Sequence, residues 1–409
     1  MDVELQINNS IKPEARFVTW SPCPCRIRVT NPAGTNTPTV SVKITGVSAA
    51  GGGAVVFRSG TTGAFTNTVT LTVPVDGTSV PFFTAGKFGQ PSVNNGDVKI
   101  EARVGTTLVG SVPVMVRIRK NANNLTTGER DRFIAAFAKL NNQGLGRFAD
   151  FNNMHKAPGY TQAHAAPGFL PWHRAYILDL ERGFQAIDAS VTLPYWRFDQ
   201  PAPNVFTRDF MGESDTNGTV KFRNGNPLEF WKTDNNPGVS RTPLFPTSQA
   251  PPNPMKEAQT LALGKDFRAF RTMEGNPHGL AHTSFGGYIQ DPTTAAKDPL
   301  FFLLHCNVDR LWAKWQRQNS RFDPGDAASF DQRPTSKPGH KLNDTMWPWN
   351  GITSATDPTR PSDAPGGPMA PSPVVGAPGK EPRVRDCLDY HGVINPASIM
   401  GFDYDDVQI

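Results

Sequence analysis

The chain has 409 residues, of which 37% are hydrophobic and 10% aromatic, so it is long enough for two domains and too apolar to be intrinsically disordered. Its net charge is +5, but only 19% of the residues are charged and no dense Lys/Arg run is present, which argues against a nucleic-acid partner. No stretch approaches the roughly 18 consecutive apolar residues of a membrane span, so we expect no membrane partner either.

The cysteines and the amino terminus bear on the compartment. The four cysteines, Cys23, Cys25, Cys306 and Cys387, predict no disulfide framework. Cys23 and Cys25 flank a single proline and are interpreted as ordinary loop cysteines, with a soft-metal role as the alternative. The start of the chain lacks the basic residues and apolar stretch of a secretory signal. We therefore expect a cytoplasmic protein, or one that is exported without a visible signal.

Residues 1–118 alternate apolar and polar positions, with clusters of Gly, Pro, Asn and Ser between the alternating stretches. About seven or eight short strands with turns every 8–12 residues are typical of an antiparallel β-sandwich. This part contains no histidine. It is therefore predicted to be an Ig-like accessory domain, and the chemistry is expected downstream.

After residue 118 the apolar spacing becomes helical. Thr126 and Glu129 are placed to form a capping box, and Phe133 and Phe137 follow at helical spacing. Three prolines are predicted at first helical positions, and each introduces a segment that contains histidines: Pro171, Pro277 and Pro299. Long loops rich in Pro and Gly are expected around these helices.

Six of the eight histidines fall into two groups of three. The first triplet is His155, His164 and His173, and the second is His278, His282 and His305. Neutral imidazole is a good ligand for copper and zinc, and three imidazoles for each ion leave coordination positions open for chemistry. A single histidine on an apolar helix is usually a hydrogen-bonded core residue, but two triplets are hard to explain in that way. The spacing predicts two metal ions.

The spacing within the second triplet favours a particular metal chemistry. His278 and His282 are four residues apart on a predicted helix, so their side chains lie one turn apart on one face. The residues between them, Gly-Leu-Ala, lack the glutamate that a zinc protease uses as its general base. Asp309 comes one turn after His305 and is predicted to orient a ligand imidazole or a neighbouring group.

Two longer motifs surround the last histidine of each triplet. FLPWHRAY at residues 169–176 contains His173, and DPLFFLLHCNVDRLW at residues 298–312 contains His305. With the segments PYWRFD and MGFDYDD, these motifs resemble the tyrosinase, catechol oxidase and haemocyanin group of type 3 copper proteins over residues 119–406. The number of residues between His164 and His173 also resembles the family pattern.

The resemblance implies a fold, a cofactor and an activity. The fold class it implies is multidomain, with an all-α four-helix-bundle dicopper catalytic domain over residues 119–409 that follows the accessory β-sandwich. Each histidine triplet would hold one copper ion, and O2 would be the co-substrate. The implied activity is the ortho-hydroxylation of small monophenols and the oxidation of o-diphenols to o-quinones.

The resemblance also assigns residues around the metals. Glu274 matches the acid that holds a water near the second copper and helps to deprotonate an incoming phenol. Gly279 stands where efficient monophenol hydroxylases often carry Asn, so we expect diphenol oxidation to dominate. Phe301, one turn before His305, is interpreted first as helix core, with the floor of the substrate pocket as the alternative role. His340 and His391 lie outside both triplets and are interpreted as surface or loop residues.

Three alternatives remain open on the same residues. The dicopper site could oxidise o-aminophenols, or it could bind O2 reversibly as haemocyanins do. The β domain could shield the site or dock a partner. A copper chaperone and a second copy of the chain, in a homo-oligomer, are further alternatives for its partners.

Overall fold

The computed structural model describes residues 1–34, 36–156, 159–332, 337–357 and 360–408. The chain divides into two compact units. The β unit consists of residues 1–118, 372–376 and 399–409, and the histidine unit consists of residues 119–371 and 377–398. In the described part of the chain, no helix has both the length and the apolar composition needed to cross a bilayer.

The β unit is built from short strands in which alternate residues are buried. The strands are β1 Asp2–Ile7, β2 Phe17–Val18, β3 Cys23–Asn31, β4 Thr39–Ser48, β5 Val55–Arg58, β6 Thr68–Pro74, β7 Val80–Gly86, β8 Val98–Val104 and β9 Thr107–Val116. They form a four-stranded sheet in the order β1-β3-β7-β5 and a five-stranded sheet in the order β2-β9-β8-β4-β6. Neighbouring strands are antiparallel, except for the parallel pair β2 and β9.

One apolar core is shared by both sheets of the β unit. Val42 on β4 and Ile100 on β8 are fully buried with Ile27 and Phe82 of the other sheet. The period-two pattern places these side chains on the inner faces and leaves polar residues outside. Cys23 and Cys25 also belong to this core, with their sulfur atoms 3.9 Å apart and no disulfide between them.

The last residues of the chain belong to the β unit as well. The backbone N–H of Trp20 donates to Asp403 Oδ2 at 2.9 Å, and its indole Nε1–H donates to the carbonyl of Tyr404 at 2.9 Å. Asp403 and Tyr404 both belong to the MGFDYDD segment, residues 400–406, which is far from Trp20 in sequence. The segment therefore packs with the amino-terminal strands.

The histidine unit contains helices of very different lengths. They are α1 Thr127–Asn141, α2 Phe148–His155, α3 Tyr160–Ala163, α4 Phe169–Ile187, α5 Glu257–Leu261, α6 Phe267–Phe270, α7 Leu280–His282 and α8 Leu300–Asn319. The predicted capping box begins α1, because Thr126 Oγ1 accepts the N–H of Glu129 while the Glu129 carboxylate accepts the N–H of Thr126. Helix α4 begins at Phe169, two residues before the predicted start at Pro171.

The predicted all-α four-helix bundle is wrong. Within the residues that the structure describes, the unit contains three two-stranded sheets: Glu213–Ser214 with Val220–Lys221, Lys232–Thr233 with Asn236–Pro237, and Arg241–Pro243 with Phe285–Gly287. The segment that carries His278 and His282 is also not one regular helix. It consists of a 3-10 turn, Arg271–Glu274, a π-helical turn, Gly275–Gly279, and α7. Asn276 has an extended backbone inside it, at φ −145° and ψ 118°, and Pro277 has no N–H to donate.

Candidate metal centre

The first histidine triplet is assembled from two helices and a loop. His155 ends α2, His164 follows α3, and His173 lies in the first turns of α4. Their ring centroids are 4.9 to 5.5 Å apart. One nitrogen from each ring lies within 4.8 Å of the other two, which is close enough for one ion to bind all three.

The second triplet has the same compactness but a different local structure. His278 lies in the π-helical turn, His282 ends α7, and His305 lies on α8. The ring centroids are 4.7 Å apart for His278 and His282, and 4.9 and 5.3 Å from these rings to that of His305. This triplet also offers three nitrogens within 4.8 Å of one another.

The two triplets face each other. The rings of His173 and His305 are stacked, with centroids 4.2 Å apart and an interplanar angle of 8°. The rings of His164 and His278 form a second stacked pair, with centroids 6.2 Å apart. Two ions held by these triplets would be close enough to share a small bridging ligand.

Hydrogen bonds to backbone carbonyls fix the tautomer of four of these rings. Nδ1 lies 3.0 Å from the Pro292 carbonyl in His155 and 2.9 Å from the Phe169 carbonyl in His173. The same atom lies 2.8 Å from the Glu274 carbonyl in His278 and 2.7 Å from the Ile289 carbonyl in His282. A carbonyl can only accept, so Nδ1 carries the hydrogen and the Nε2 lone pair is left to bind a metal.

The Nε2 atoms of each triplet lie close together, where one metal ion would bind them. Nε2 of His155 lies 3.4 Å from Nε2 of His173, and Nε2 of His282 lies 3.2 Å from Nε2 of His305. Among the described residues, the buried Nε2 of His278 has no hydrogen-bond partner. Lone pairs that face one another in a buried site are unfavourable unless a cation lies between them.

Burial keeps these imidazoles uncharged. Loss of solvation, with smaller contributions from neighbouring histidines, lowers the pKa of His155, His173, His278 and His305 well below its usual value. Burial lowers the pKa of His282 to about 4. The neutral ring is the form that binds a metal, so the donor set fits two copper ions at neutral pH.

Glu274 links the two histidine segments. Its carboxylate accepts the backbone N–H of Ala165 at 2.5 Å, directly after His164, while its carbonyl accepts Nδ1–H of His278. Burial raises the pKa of Glu274 to about 7, and the Ala165 hydrogen bond and the charge of Arg271 oppose that shift. Ala165 holds the left-handed conformation at φ 58°, which turns its N–H toward the carboxylate.

Phe301 and Gly279 lie beside the histidines. Phe301 is fully buried, and its ring centroid is 4.2 Å from that of His305 and 4.6 Å from that of His155. A side chain at Gly279 would meet the Glu274 carbonyl at an ordinary 3.4 Å, so the position has room for one.

Asp309 binds arginines. Its carboxylate accepts Nε–H of Arg174 at 2.6 Å and Nη1–H of Arg119 at 3.2 Å. The Nδ1 atom of His305, one turn earlier, has no hydrogen-bond partner among the residues that the structure describes. Any orienting effect of Asp309 on the histidines therefore passes through these arginines.

Comparison with known proteins identifies the family. The model of the common central domain of tyrosinase matches residues 145–318. A tyrosinase of Streptomyces antibioticus is 31% identical over 274 residues, which cover 58% of this chain and 94% of that protein. The chain belongs to the tyrosinase family.

The chain is also similar to haemocyanins. Hemocyanin 1 of Megathura crenulata is 30% identical over 247 residues, covering 56% of this chain and 7% of that protein. A functional unit of octopus haemocyanin has a TM-score of 0.46 and 22% identity, covering 72% of this chain and 69% of that chain. Members of the tyrosinase family bind two copper ions and use O2, and both histidine triplets of this chain are able to hold a metal.

Sequence reasoning missed several groups around the tyrosinase-type site. The carbonyls of Pro292 and Ile289 leave no side-chain signal, so they could not have been found. Arg174 could have been found from the sequence, because it directly follows His173 in the first motif. His340 and His391 do lie in loops, but both are buried, with 2% and 7% of their surface exposed.

Proposed function

We propose that this chain is a copper-dependent oxidase of o-diphenols, which it converts to o-quinones with O2 as the oxidant, and that it hydroxylates monophenols more slowly. The observation that carries the proposal is the pair of facing histidine triplets, in which burial keeps five of the six imidazoles neutral. Copper bound there would let two diphenols give four electrons and four protons to one O2, which yields two o-quinones and two water molecules. The histidine unit is proposed as the catalytic domain, and the β unit, which contains no histidine, as an accessory domain.

The six histidines have distinct tasks in this proposal. His155, His164 and His173 hold one copper, and His278, His282 and His305 hold the other. The carbonyl acceptors on Nδ1 keep four of the rings from rotating, so the ligands are oriented before a metal arrives. A rigid ligand set leaves the remaining coordination positions open to O2 and substrate.

Glu274 and Gly279 support the preference for diphenols. We propose Glu274 as the acceptor of the phenol proton, because its half-buried carboxylate lies beside the segment that follows His164. Gly279 provides no polar group to hold a water against that carboxylate. A diphenol loses its protons more readily than a monophenol, so its oxidation depends less on such a water.

Phe301 is proposed as the floor of the substrate pocket. Its buried ring contacts ligands of both triplets, His155 and His305. Because the Phe301 ring is fully buried against these histidines, it would support the floor by holding the ligand rings in place.

Oxygen uptake tests the proposal. The copper-loaded protein is compared on catechol, phenol and o-aminophenol, with the His282→Ala variant as the inactive form. His391→Gln is the control, because His391 is a buried histidine outside both triplets. We expect catechol to be consumed fastest by the parent and by the control, and neither phenolic substrate to be consumed by His282→Ala.

Each other outcome contradicts a defined part of the proposal. A faster reaction on phenol with no lag would refute the diphenol preference. Activity on o-aminophenol alone would assign the site to aminophenol oxidation. A protein that binds O2 reversibly but oxidises no substrate would be an oxygen carrier, as its haemocyanin relatives are.

A further inference from the structure

Two long helices bring one histidine of each triplet together. His173 lies on α4, Phe169–Ile187, and His305 lies on α8, Leu300–Asn319, and their rings are stacked 4.2 Å apart. The other four histidines lie on shorter elements or in a loop. The position of α4 against α8 therefore sets the distance between the two triplets.

Arg174 connects these two helices next to the stacked rings. It directly follows His173 on α4, and its Nε–H donates to Asp309 Oδ1 at 2.6 Å, one turn after His305 on α8. Its Nη1–H donates to Gln316 Oε1 at 2.9 Å, two turns further along α8. One guanidinium thus binds α8 at two points.

Arg119 makes a second connection between the same helices. Its guanidinium binds Glu181 on α4 at 2.6 Å and Asp309 on α8 at 3.2 Å. Two arginines and two carboxylates therefore form one charge-balanced cluster, in which Asp309 is the shared acceptor.

The burial of this cluster decides what it contributes. The side chains of Arg119, Arg174, Glu181 and Asp309 have at most 1% of their surface exposed. A buried ion pair adds little net stability, because the loss of hydration offsets the attraction, and apolar side chains could hold two helices together equally well. The forked hydrogen bonds add direction, since a slip of one residue moves a helix by about 1.5 Å and would break them.

We propose that Arg174 and Asp309 are positioning residues that fix the register of α4 against α8, and through it the spacing of the two copper ions. The inference rests on the proposed function in that both triplets must hold copper. Neither residue binds a metal or a substrate. They would act on the distance between the two copper ions, and therefore on the magnetic coupling between them.

The Arg174→Lys variant tests this proposal, because lysine keeps the charge but cannot bind Asp309 and Gln316 with a fixed fork. The matched control is Arg241→Lys. Arg241 is equally buried and also makes a forked pair, with Asp298 at 2.7 and 2.5 Å, and a bond to the Met211 carbonyl at 2.8 Å. None of these partners lies on α4.

Copper affinity and electron paramagnetic resonance are measured on the parent and both variants. Two bridged Cu(II) ions at close range cancel each other's spin, so the parent and Arg241→Lys should be silent. We expect Arg174→Lys to show the signal of uncoupled Cu(II) and to bind copper about 10-fold more weakly or worse, as losses of groups behind metal ligands do.

The failures are distinguishable. If Arg174→Lys binds two copper ions with parental affinity and stays silent, the positioning role is wrong. If the parent itself binds fewer than two ions, or shows uncoupled Cu(II), the proposed dicopper function is wrong. Should Arg174→Lys not fold, as judged by circular dichroism, Asp309→Asn replaces it. Asn has only one acceptor oxygen for the two arginines that Asp309 binds, so a silent spectrum with parental affinity would again overturn the proposal.

Discussion

Removing copper is expected to destabilise the histidine unit strongly. Without metal, the Nε2 lone pairs of His155 and His173 oppose each other at 3.4 Å, because the Nδ1 atom of each ring already donates to a backbone carbonyl. A free ligand at about 100 times its Kd adds about 2.7 kcal/mol for each site, so two copper sites add about 5 kcal/mol. For a domain of this size each kcal/mol shifts the unfolding temperature by about 2–4 °C, which gives about 10–20 °C in all.

Scanning calorimetry of the copper-loaded and chelator-treated protein measures this shift. The His164→Ala/His282→Ala double variant is the control, since it loses one ligand from each triplet and should unfold at nearly the same temperature with and without copper. Equal unfolding temperatures of the loaded and metal-free parent would refute the reasoning. A full shift in the double variant would show that copper binds elsewhere.

Two other residues give predictions that different measurements check. Gly279→Asn should raise the ratio of monophenol to diphenol oxidation, because an amide there can hold a water beside the Glu274 carboxylate and the backbone at φ −58° accepts a side chain. Oxygen uptake measures this ratio, and Gly279→Ala is the control without an amide. An unchanged ratio in Gly279→Asn would contradict this role. Burial lowers the pKa of His340 to about 4, while its Nδ1 accepts the N–H of Gly168 at 3.2 Å. The neutral ring therefore stabilises the fold above pH 6.5, and this contribution is lost as the pH falls toward 4. Between pH 7.5 and 5 the loss is about 2 kcal/mol. In urea unfolding, the free energy of unfolding of His340→Gln should therefore fall by about 2 kcal/mol less than that of the parent over this pH range. An identical pH dependence in parent and variant would contradict this role of His340.

Histidine spacing carried more information than any other feature of the sequence. Residues 155, 164 and 173 lie together in the structure, as do residues 278, 282 and 305, because imidazoles in a buried site must share a partner. The alternation of apolar and polar residues in the first 118 positions likewise predicted the strands, because side chains on a strand point alternately to the buried and the exposed face of the sheet.

Helical spacing was a weaker guide in the histidine unit. An interval of four residues between His278 and His282 predicted one helix, but the extended backbone of Asn276 and the missing N–H of Pro277 divide that segment into unlike turns. Long-range pairing was also invisible in the sequence. The partners of Asp309 are 135 and 190 residues away, and neither Arg174 nor Arg119 has a pattern that points to it.

Copper content per chain, measured by elemental analysis on the purified loaded protein, tests the central claim most directly. The account predicts two copper ions in the parent and one in variants that replace two histidines of a single triplet with alanine, either His155 with His164 or His278 with His282. A parent that holds one ion, or a single-triplet variant that loses both or keeps both, would contradict a pair of separate three-histidine sites.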